Sequence, residues 1–417
     1  MNIGYACIAL GVPGAQLRSC ALKNADRETI ANIVSSNLNA LANIARYNAA
    51  NGIKLFRISS GLIPFGSLPS NPVNWGGMVS GEFAAVGQTI AASGMRVSMH
   101  PGQYTVLNSP DPAVVEKSID DLNYHAKVLR LLGTGPSHKI VLHIGGVYGD
   151  KTASVKRFIK NFRLLDDEVK SRLVLENDDR LFTVADVLST AGELGLPVVF
   201  DTLHNEVNPA GERDAFEWIE QCRKTWEVRD GVQKIHYSQH NPLKKPGSHS
   251  DTVDASRFAA FAQKLQRDDV DIMLEVKDKN LSAVKCANTV RSDRHIKHLE
   301  REWARYKYLV LEKSAAGYGA IRELLKDKTG YPVEPFYSLL DTAMRKEWEA
   351  GDKINAAMHV WGYFKEKADA KEKTEFLNKL KRLERGFSSA APVKKILWSL
   401  TQKYGPDYLK ESYYFHF

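Results

Sequence analysis

Residues 172–206 read RLVLENDDRLFTVADVLSTAGELGLPVVFDTLHNE. The first run, Leu173–Glu176, is apolar and stops on a carboxylate. A stretch of helical period, Val184–Leu194, follows it, and Gly195 then breaks the pattern. A second apolar run, Pro197–Asp201, also stops on a carboxylate. Short apolar runs suit strands buried on both faces, and a helix between two such runs suits a parallel pair.

Outward from this unit the pattern repeats. Ile3–Ile8, Ile53–Ser59, Met95–His100 and Lys139–Ile144 precede it; Gln233–Tyr237 and Ile272–Val276 follow. Helix-like segments lie between them, among them Thr29–Tyr47, Glu116–Leu132, Val155–Asp167 and Ala255–Gln266. Eight strand–helix alternations predict an α/β chain closed into a (β/α)8 TIM barrel. A barrel takes about 250 residues, and the chain has 417. After Val276 the text becomes rich in Lys and Arg, and from about Glu300 it reads as helices only: REWARYKYLVLEKSAAGYGAIRELL, FYSLLDTAMRKEWEAG, KINAAMHVWGYFKEK and KEKTEFLNKLKRLE. This predicts a barrel domain over 1–292 and a smaller all-α domain over 293–417.

The barrel enzymes carry their chemistry where strands end. Here the ends are MRVSMHPGQY (95–104), KIVLHIGGVYG (139–149), RLVLENDD (172–179), PVVFDTLHNE (197–206), QKIHYSQH (233–240) and DIMLEVKDK (271–279). Six consecutive ends carrying His, Glu or Asp point to metal. The candidate ligands are His100, His143, Glu176, Asp201, His204, His236, His249 and Glu275. Imidazole with carboxylate suits Zn²⁺ or Mn²⁺. Eight ligands exceed the needs of one ion, so two or three divalent ions are expected, with Glu176 central enough to bridge two. Clustered ions suit phosphodiester hydrolysis. His204 has an alternative reading as a helix cap, and His249 sits in a loop, NPLKKPGSHSD.

Other residues complete the picture. Lys234 and His236 lie two apart on one strand and face the same way, so Lys234 is expected inside the barrel, one layer below the ligands, as a site residue. Glu176, Lys234 and Glu275 are the residues expected to act in catalysis. The turn His100–Tyr104 presents Gln103 and Tyr104 beside the ligands; an aromatic there wedges into a base stack or packs on the barrel rim. The loop His143–Lys151 resembles a phosphate-handling loop, with Tyr148 and Lys151 as contacts. Arg57, Arg180, Lys244 and Lys245 are further candidates for phosphate.

Composition agrees with an anionic partner. Lys and Arg number 57 against 49 Asp and Glu, a net charge of +8, which favours nucleic acid. The four cysteines, Cys7, Cys20, Cys222 and Cys286, form no CxxC pair, as in a reducing, cytoplasmic setting. No apolar run approaches the ~20 residues of a membrane span, and the first basic residue, Arg18, comes too late for a signal peptide. No nucleotide cofactor is expected, and the chain is read as a monomer.

The motifs G-Y-A (4–6), R-I-S-S (57–60), H-P-G-Q-Y (100–104), H-x-G-G-V-Y-G-D-K (143–151), L-E-N-D-D (175–179), F-D-x-x-H (200–204) and K-I-H-Y-S (234–238) together resemble the UV damage endonuclease family. These are relatives of endonuclease IV in the xylose-isomerase-like barrel group, and the resemblance covers about residues 1–285. It implies a DNA repair endonuclease that nicks the backbone of damaged double-stranded DNA immediately 5′ to cyclobutane dimers, 6-4 photoproducts and abasic sites. It implies a trinuclear site, commonly of manganese, Mn²⁺, with Zn²⁺ or Mg²⁺ as alternatives. His100, His143 and Glu176 would hold one ion; Glu176, Asp201, His236 and Glu275 a second; His204 and His249 a third. Lys234 matches a lysine that can be carboxylated, Gln103 and Tyr104 a pair that probes the lesion, and Tyr5 a residue lining the damage pocket. Two departures stand out: Gly61 follows Arg57-Ile58-Ser59-Ser60 where an acid is common, and a single histidine, His204, stands where paired histidines are usual. The tail resembles a small helical domain of unknown function found fused to other bacterial proteins, through NAAMHVWGYFK (355–365) and the Tyr-Leu at 408–409.

Three other readings compete. A metal-dependent sugar isomerase or epimerase on such a barrel needs two metals at most and no base wedge. An abasic-site endonuclease without photolesion activity uses the same ligands. A DNA-binding scaffold needs no metal. Ligand surplus, net basicity and the HPGQY turn favour the nuclease.

Overall fold

Eight short strands, all parallel, close into a barrel in chain order: β1 (Asn2–Ala6), β2 (Leu55–Ile58), β3 (Arg96–Met99), β4 (Ile140–His143), β5 (Leu173–Glu176), β6 (Val198–Asp201), β7 (Gln233–Tyr237) and β8 (Val270–Leu274). β1 pairs with both β2 and β8, which completes the closure. The computed structural model describes residues 1–417 except 69, 70, 72 and 348; Trp348, inside one stretch expected as helix, therefore lies outside the described residues.

Side chains alternate along a strand, and the register sorts them into layers. Gly4 is level with Leu55 and Met273, His143 with Glu176, Asp201 with His236, and Lys234 with Asp271. Ala6, Leu55 and Met273 cluster in one buried group, and Val141, Val174 and Val199 in another. The residues two further along β4, β5 and β6 are His143, Glu176 and Asp201, so the ligand layer caps an apolar one. Gly4 is required where it stands: a Cβ there would lie 2.2 Å from the Leu55 carbonyl oxygen. Below the apolar layer the barrel floor is charged. Arg96 bonds Asp271 at 3.0 Å and the Asp230 carbonyl at 2.6 Å, and Lys139 pairs with Asp230 at 2.5 Å.

Three expectations need correction. The last strand begins at Val270, two residues early, because Asp271 is held inside the barrel by Arg96 and Asn2. The helix expected over Val155–Asp167 is two, Lys151–Phe162 and Asp167–Arg172; Asp150 caps the first by accepting from the Ala153 amide. A helix not anticipated, Ser80–Ala92, lies between β2 and β3. Within it Gly87 is a packing residue: a Cβ there would lie 2.2 Å from the Leu132 carbonyl oxygen.

The chain divides into two compact units. One comprises Met1–Val253 and Ala260–Ala287, and contains the barrel. The other comprises Asp254–Ala259 and Asn288–Phe417. Its helices include Lys297–Lys313, Ala350–Trp361, Ala370–Glu384 and Ala391–Tyr404. They enclose a core of Val360, Trp361, Phe364, Phe376 and Leu397, in which Trp361 stacks on Phe376 at 4.3 Å. Among the described residues no helix is long and apolar enough to cross a membrane.

Candidate functional site

Successive strands deliver one ligand-type group each to the same end of the barrel. Glu176, fully buried at the end of β5, is the centre. Its Oε2 lies 2.9 Å from His100 Nε2 and 3.4 Å from His143 Nε2; its Oε1 lies 2.5 Å from His236 Nδ1. His236 Nδ1 is also 3.4 Å from Glu275 Oε1. Asp201 caps the helix Thr202–Val207 by accepting from the His204 amide, which brings its carboxylate 3.9 Å from His204 Nδ1. Three groups result, each with its ligand atoms within 4.8 Å of one another: His100, His143 and Glu176; Glu176, His236 and Glu275; Glu176, Asp201 and His204. Glu176 belongs to all three. Asp201 thus groups with His204, where the resemblance implied His236 and Glu275. His249 joins none of these groups; its Nε2 stands 3.8 Å from Glu275, on a loop pinned by a backbone bridge between His240 and His249.

The buried atoms fit a cation. Asp201 Oδ2 and His236 Nε2 are buried and accept or donate no hydrogen bond. Buried polar atoms are almost always paired, and two orphans of metal-ligating type in one layer are what a bound divalent ion satisfies. These buried His, Glu and Asp clusters are able to bind metal ions.

Electrostatics set the protonation of the cluster. Burial pushes the His100 imidazole down to about 4, against the pull of Glu176, so its nitrogen offers a free lone pair at neutral pH. His204 goes up to about 9: burial opposes this, but Asp201 and Glu176 outweigh it. Burial raises the Asp201 carboxyl. For Glu176 burial also works upward, but the charges of His236 and His143 and the hydrogen bonds from His100 and His236 hold it well below the usual range. Lys234 Nζ is fully buried without a partner, and burial, reinforced by Arg96, drives it well below a normal lysine. It sits one layer below His236 on the same strand, level with Asp271.

The two residues expected to probe the lesion, Gln103 and Tyr104, lie on the loop after β3. Tyr104 is 68% exposed, and its ring lies against Gly102. Gln103 lines a cleft of about 600 Å³ together with His100, His143, Tyr148, Arg180 and His204. Tyr148 is half exposed in the left-handed region, φ 51°, with the Arg157 guanidinium 5.6 Å over its ring. Lys244 and Lys245 are exposed, and Lys244 faces Lys277 and Asp251.

Three residues stand elsewhere than expected. Tyr5 does not reach the mouth of the barrel. It alternates with Gly4 and Ala6, so it points outward, where its hydroxyl donates to Asn48 at 2.8 Å and its ring meets Phe56. Arg57 is engaged by Glu275 and is not a free phosphate cation. Lys151 is the first residue of its helix and pairs with Asp186 at 2.6 Å.

Supporting residues escaped the sequence reading. Asn177 clasps Asp201 from both sides, accepting from its amide at 2.8 Å and donating to its carbonyl at 3.1 Å, and the Asn177 carbonyl fixes His204 Nδ1 at 2.8 Å. Ser60 donates to the His100 carbonyl at 2.8 Å and is itself held by His125 at 2.9 Å. Their only sequence signal was position: Asn177 follows Glu176, and Ser60 closes the R-I-S-S motif.

Comparison with known proteins agrees with this geometry. Residues 3–307 match the family described as UV-endonuclease UvdE. Residues 307–417 match a family described as protein of unknown function (DUF1722). The UV DNA damage endonuclease of Clostridium perfringens (strain 13 / Type A) is 38% identical over 345 residues, 82% of each chain. That of Bacillus cereus (strain Q1) is 31% identical over 280 residues, 66% of this chain and 88% of its own. The crystal structure of SacUVDE matches with a TM-score of 0.65 at 39% identity, over 69% of this chain and 96% of that one.

Proposed function

The chain belongs to the UV-endonuclease UvdE family, and from that premise we propose how its barrel performs the incision. It is a UV-damage repair endonuclease, an endodeoxyribonuclease acting on DNA. We place the incision immediately 5′ to cyclobutane dimers and 6-4 photoproducts, and at abasic sites, on double-stranded DNA. The observation that carries this reading is Glu176, one carboxylate shared by three ligand groups. We assign His100, His143 and Glu176 to one ion, Glu176, His236 and Glu275 to a second, and Glu176, Asp201 and His204 to a third, with His249 beside Glu275. Manganese is the ion we favour.

Held by these groups, divalent ions would supply charge neutralisation for the scissile phosphate, activation of water and stabilisation of the leaving oxygen. The protein supplies the frame. Arg57 holds Glu275 in place and offsets its charge within the ligand layer. Asn177 and Ser60 fix the backbones that carry Asp201 and His100. Lys234 lies beneath, where burial favours the amine form, the form that would take up CO₂ as a carbamate anion. Gln103 and Tyr104 present an amide and an exposed ring to a distorted base step, where stacking contributes about 1–3 kcal/mol per base. Tyr148, Arg180, Lys244 and Lys245 are left to meet phosphates.

We further propose that residues 1–292 form the nuclease domain and 293–417 an accessory domain, and that the protein acts as a cytoplasmic monomer. The decisive assay is incision of UV-irradiated plasmid, and of oligonucleotides carrying one thymine dimer, one 6-4 photoproduct or one abasic site. Mn²⁺ is expected to support nicking of all three and a chelator to abolish it. Nicking of the abasic substrate alone would leave a plain abasic-site endonuclease; nicking that survives chelation would remove the metal mechanism.

A further inference from the structure

The C-terminal unit holds a cluster that phosphodiester cleavage does not use. Lys307 and Tyr308 lie on the helix Lys297–Lys313, Tyr363 lies just past Ala350–Trp361, and Tyr408 lies on the short helix Asp407–Lys410. The hydroxyls of Tyr308 and Tyr408 both meet the Tyr363 oxygen, at 2.7 and 2.5 Å. The Lys307 ammonium sits 4.8 Å from the Tyr308 ring centroid and 4.5 Å from that of Tyr408, and 3.5 Å from the Tyr408 hydroxyl. Lys307 is half-buried and makes no ion pair among the described residues.

The proton count is informative. Three phenols carry three protons, but the three oxygens share two hydrogen bonds. In the neutral cluster one proton is surplus, on Tyr363 or on Tyr308, and Tyr308 is only 5% exposed. Removing that proton from Tyr363 leaves every remaining hydroxyl proton bonded and gives Lys307 the counter-charge it lacks. A bond from a hydroxyl to an anionic oxygen is about twice as strong as a neutral one, and for the half-buried Lys307, whose proton burial loosens, an anionic Tyr363 works the other way.

We propose that this cluster is a second reactive centre, in which the Tyr363 oxygen accepts a proton from a small O–H or N–H acid, with Tyr308, Tyr408 and Lys307 holding it ready. The step balances without a further reagent. The ligand's proton passes to the Tyr363 phenolate, its electron pair stays on the ligand, and the ligand anion remains beside the Lys307 ammonium. The charges around Tyr363 favour this. Burial opposes its ionisation, but the bonds from Tyr308 and Tyr408 and the charge of Lys307 outweigh it and bring its hydroxyl below the ordinary tyrosine value. Burial and the bond to Tyr363 push Tyr308 and Tyr408 the other way. The facing titratable groups are thus Tyr308 and Lys307 from one helix and Tyr408 from another, with Tyr318 beyond Tyr408. Tyr363 and Tyr408 fall in the two segments that carry the tail's resemblance, so the cluster also gives those segments a chemical purpose.

The test is a titration of the full-length protein, followed by the ultraviolet difference absorbance of phenolate. One tyrosine is expected to ionise below the ordinary value near 10 and ahead of the rest. That early transition is absent from Tyr363→Phe and moves upward in Lys307→Gln. Superposable wild-type and Tyr363→Phe curves would overturn the proposal. If Tyr363→Phe does not fold by circular dichroism, Tyr408→Phe and Lys307→Gln carry the test, and an early transition unmoved in both overturns it. Tetranitromethane, which attacks the phenolate form, supplies a second readout. Peptide mass spectrometry is expected to find Tyr363 nitrated first; first nitration at another tyrosine rejects the centre.

Discussion

At the scale of single residues, Glu176 is buried among groups that decide whether it can stay charged. Three imidazoles approach its two oxygens, so its amide isostere keeps the shape and loses the compensation. Glu176→Gln is expected to lower bound metal by at least about a hundredfold in affinity, more than the 10–100-fold typical of removing an outer partner. Incision should fall to background, while DNA affinity stays within about threefold because phosphate contacts come from elsewhere. Metal analysis beside a gel-shift assay measures both; a variant that keeps metal and nicking would take the bridging role from Glu176. His204 supports a prediction about pH. Its folded value near 9 means that it carries a proton at neutrality, and a ligand must lose that proton to bind metal. Metal affinity is therefore expected to climb as pH rises toward about 9 and flatten beyond it, and binding at pH 7 should release about one proton. Calorimetry in two buffers of different ionisation heat reads this release, and His204→Gln should reduce it; unchanged release in the variant would place the proton on another group. The candidate groups His100, His143, Glu176, Asp201, His236 and Glu275 could be picked out in sequence because each lies at a strand's end or one residue from it, whereas His204 lies in the helix after β6 and His249 in a loop. Asn177, Ser60 and His125 were not legible, because a side chain that bonds to backbone leaves no spacing to read.

At the scale of elements, periodicity located β5, β7 and the helix Val184–Leu194 to the residue, and it failed where burial of polar or small residues broke the usual pattern. Asp271 inside β8 and Gly87 inside Ser80–Ala92 are the two cases, and both are explained by one close partner, Arg96 and the Leu132 carbonyl. Tyr5 illustrates a different limit: a motif match fixed its position in β1, but the alternation of the strand decides its face, and that face is the outer one. The loop after β4 was read as gripping phosphate through Lys151, and the pairing of Lys151 with Asp186 changes the expectation. Asp186 also completes a capping box with Thr183. Lys151→Ala should leave the salt dependence of DNA binding unchanged, whereas a true phosphate contact would lower its slope by about 1. Thr183→Ala should cost about 0.5–2 kcal/mol through the lost N-cap, read as a lower denaturation midpoint. The loop after β3 differs, since Tyr104 is exposed and its hydroxyl meets no hydrogen-bond partner among the described residues. Tyr104→Ala is expected to narrow the preference for dimer-containing over undamaged duplex about tenfold, the equivalent of 1.4 kcal/mol, with metal content unchanged. Equal preference in both proteins would leave the ring as a rim-packing residue.

At the scale of the whole molecule, the two compact units should respond differently to metal. Among the described residues, every candidate ligand group lies in the unit built on the barrel, and none lies in the helical unit with its own core around Trp361 and Phe376. A ligand that binds only the native form stabilises it by about 4.1 kcal/mol when present at a thousandfold over its dissociation constant. That gain belongs to the unit holding the site. A single unfolding free energy is undefined for such a chain, so the prediction concerns separate transitions. In calorimetry, chelation should lower the barrel transition by several degrees, on the order of 2–4 °C per kcal/mol for a unit of this size, and leave the helical one in place. The tyrosine fluorescence and phenolate absorbance of the helical unit offer an independent marker for assigning the second transition. Chelation that shifts both transitions together would mean that the units unfold as one, and the boundary proposed near residue 292 would then mark a change of architecture without a change of cooperativity. Separate transitions would make the helical unit an independently folding module, free to carry the tyrosine centre whether or not the barrel holds metal.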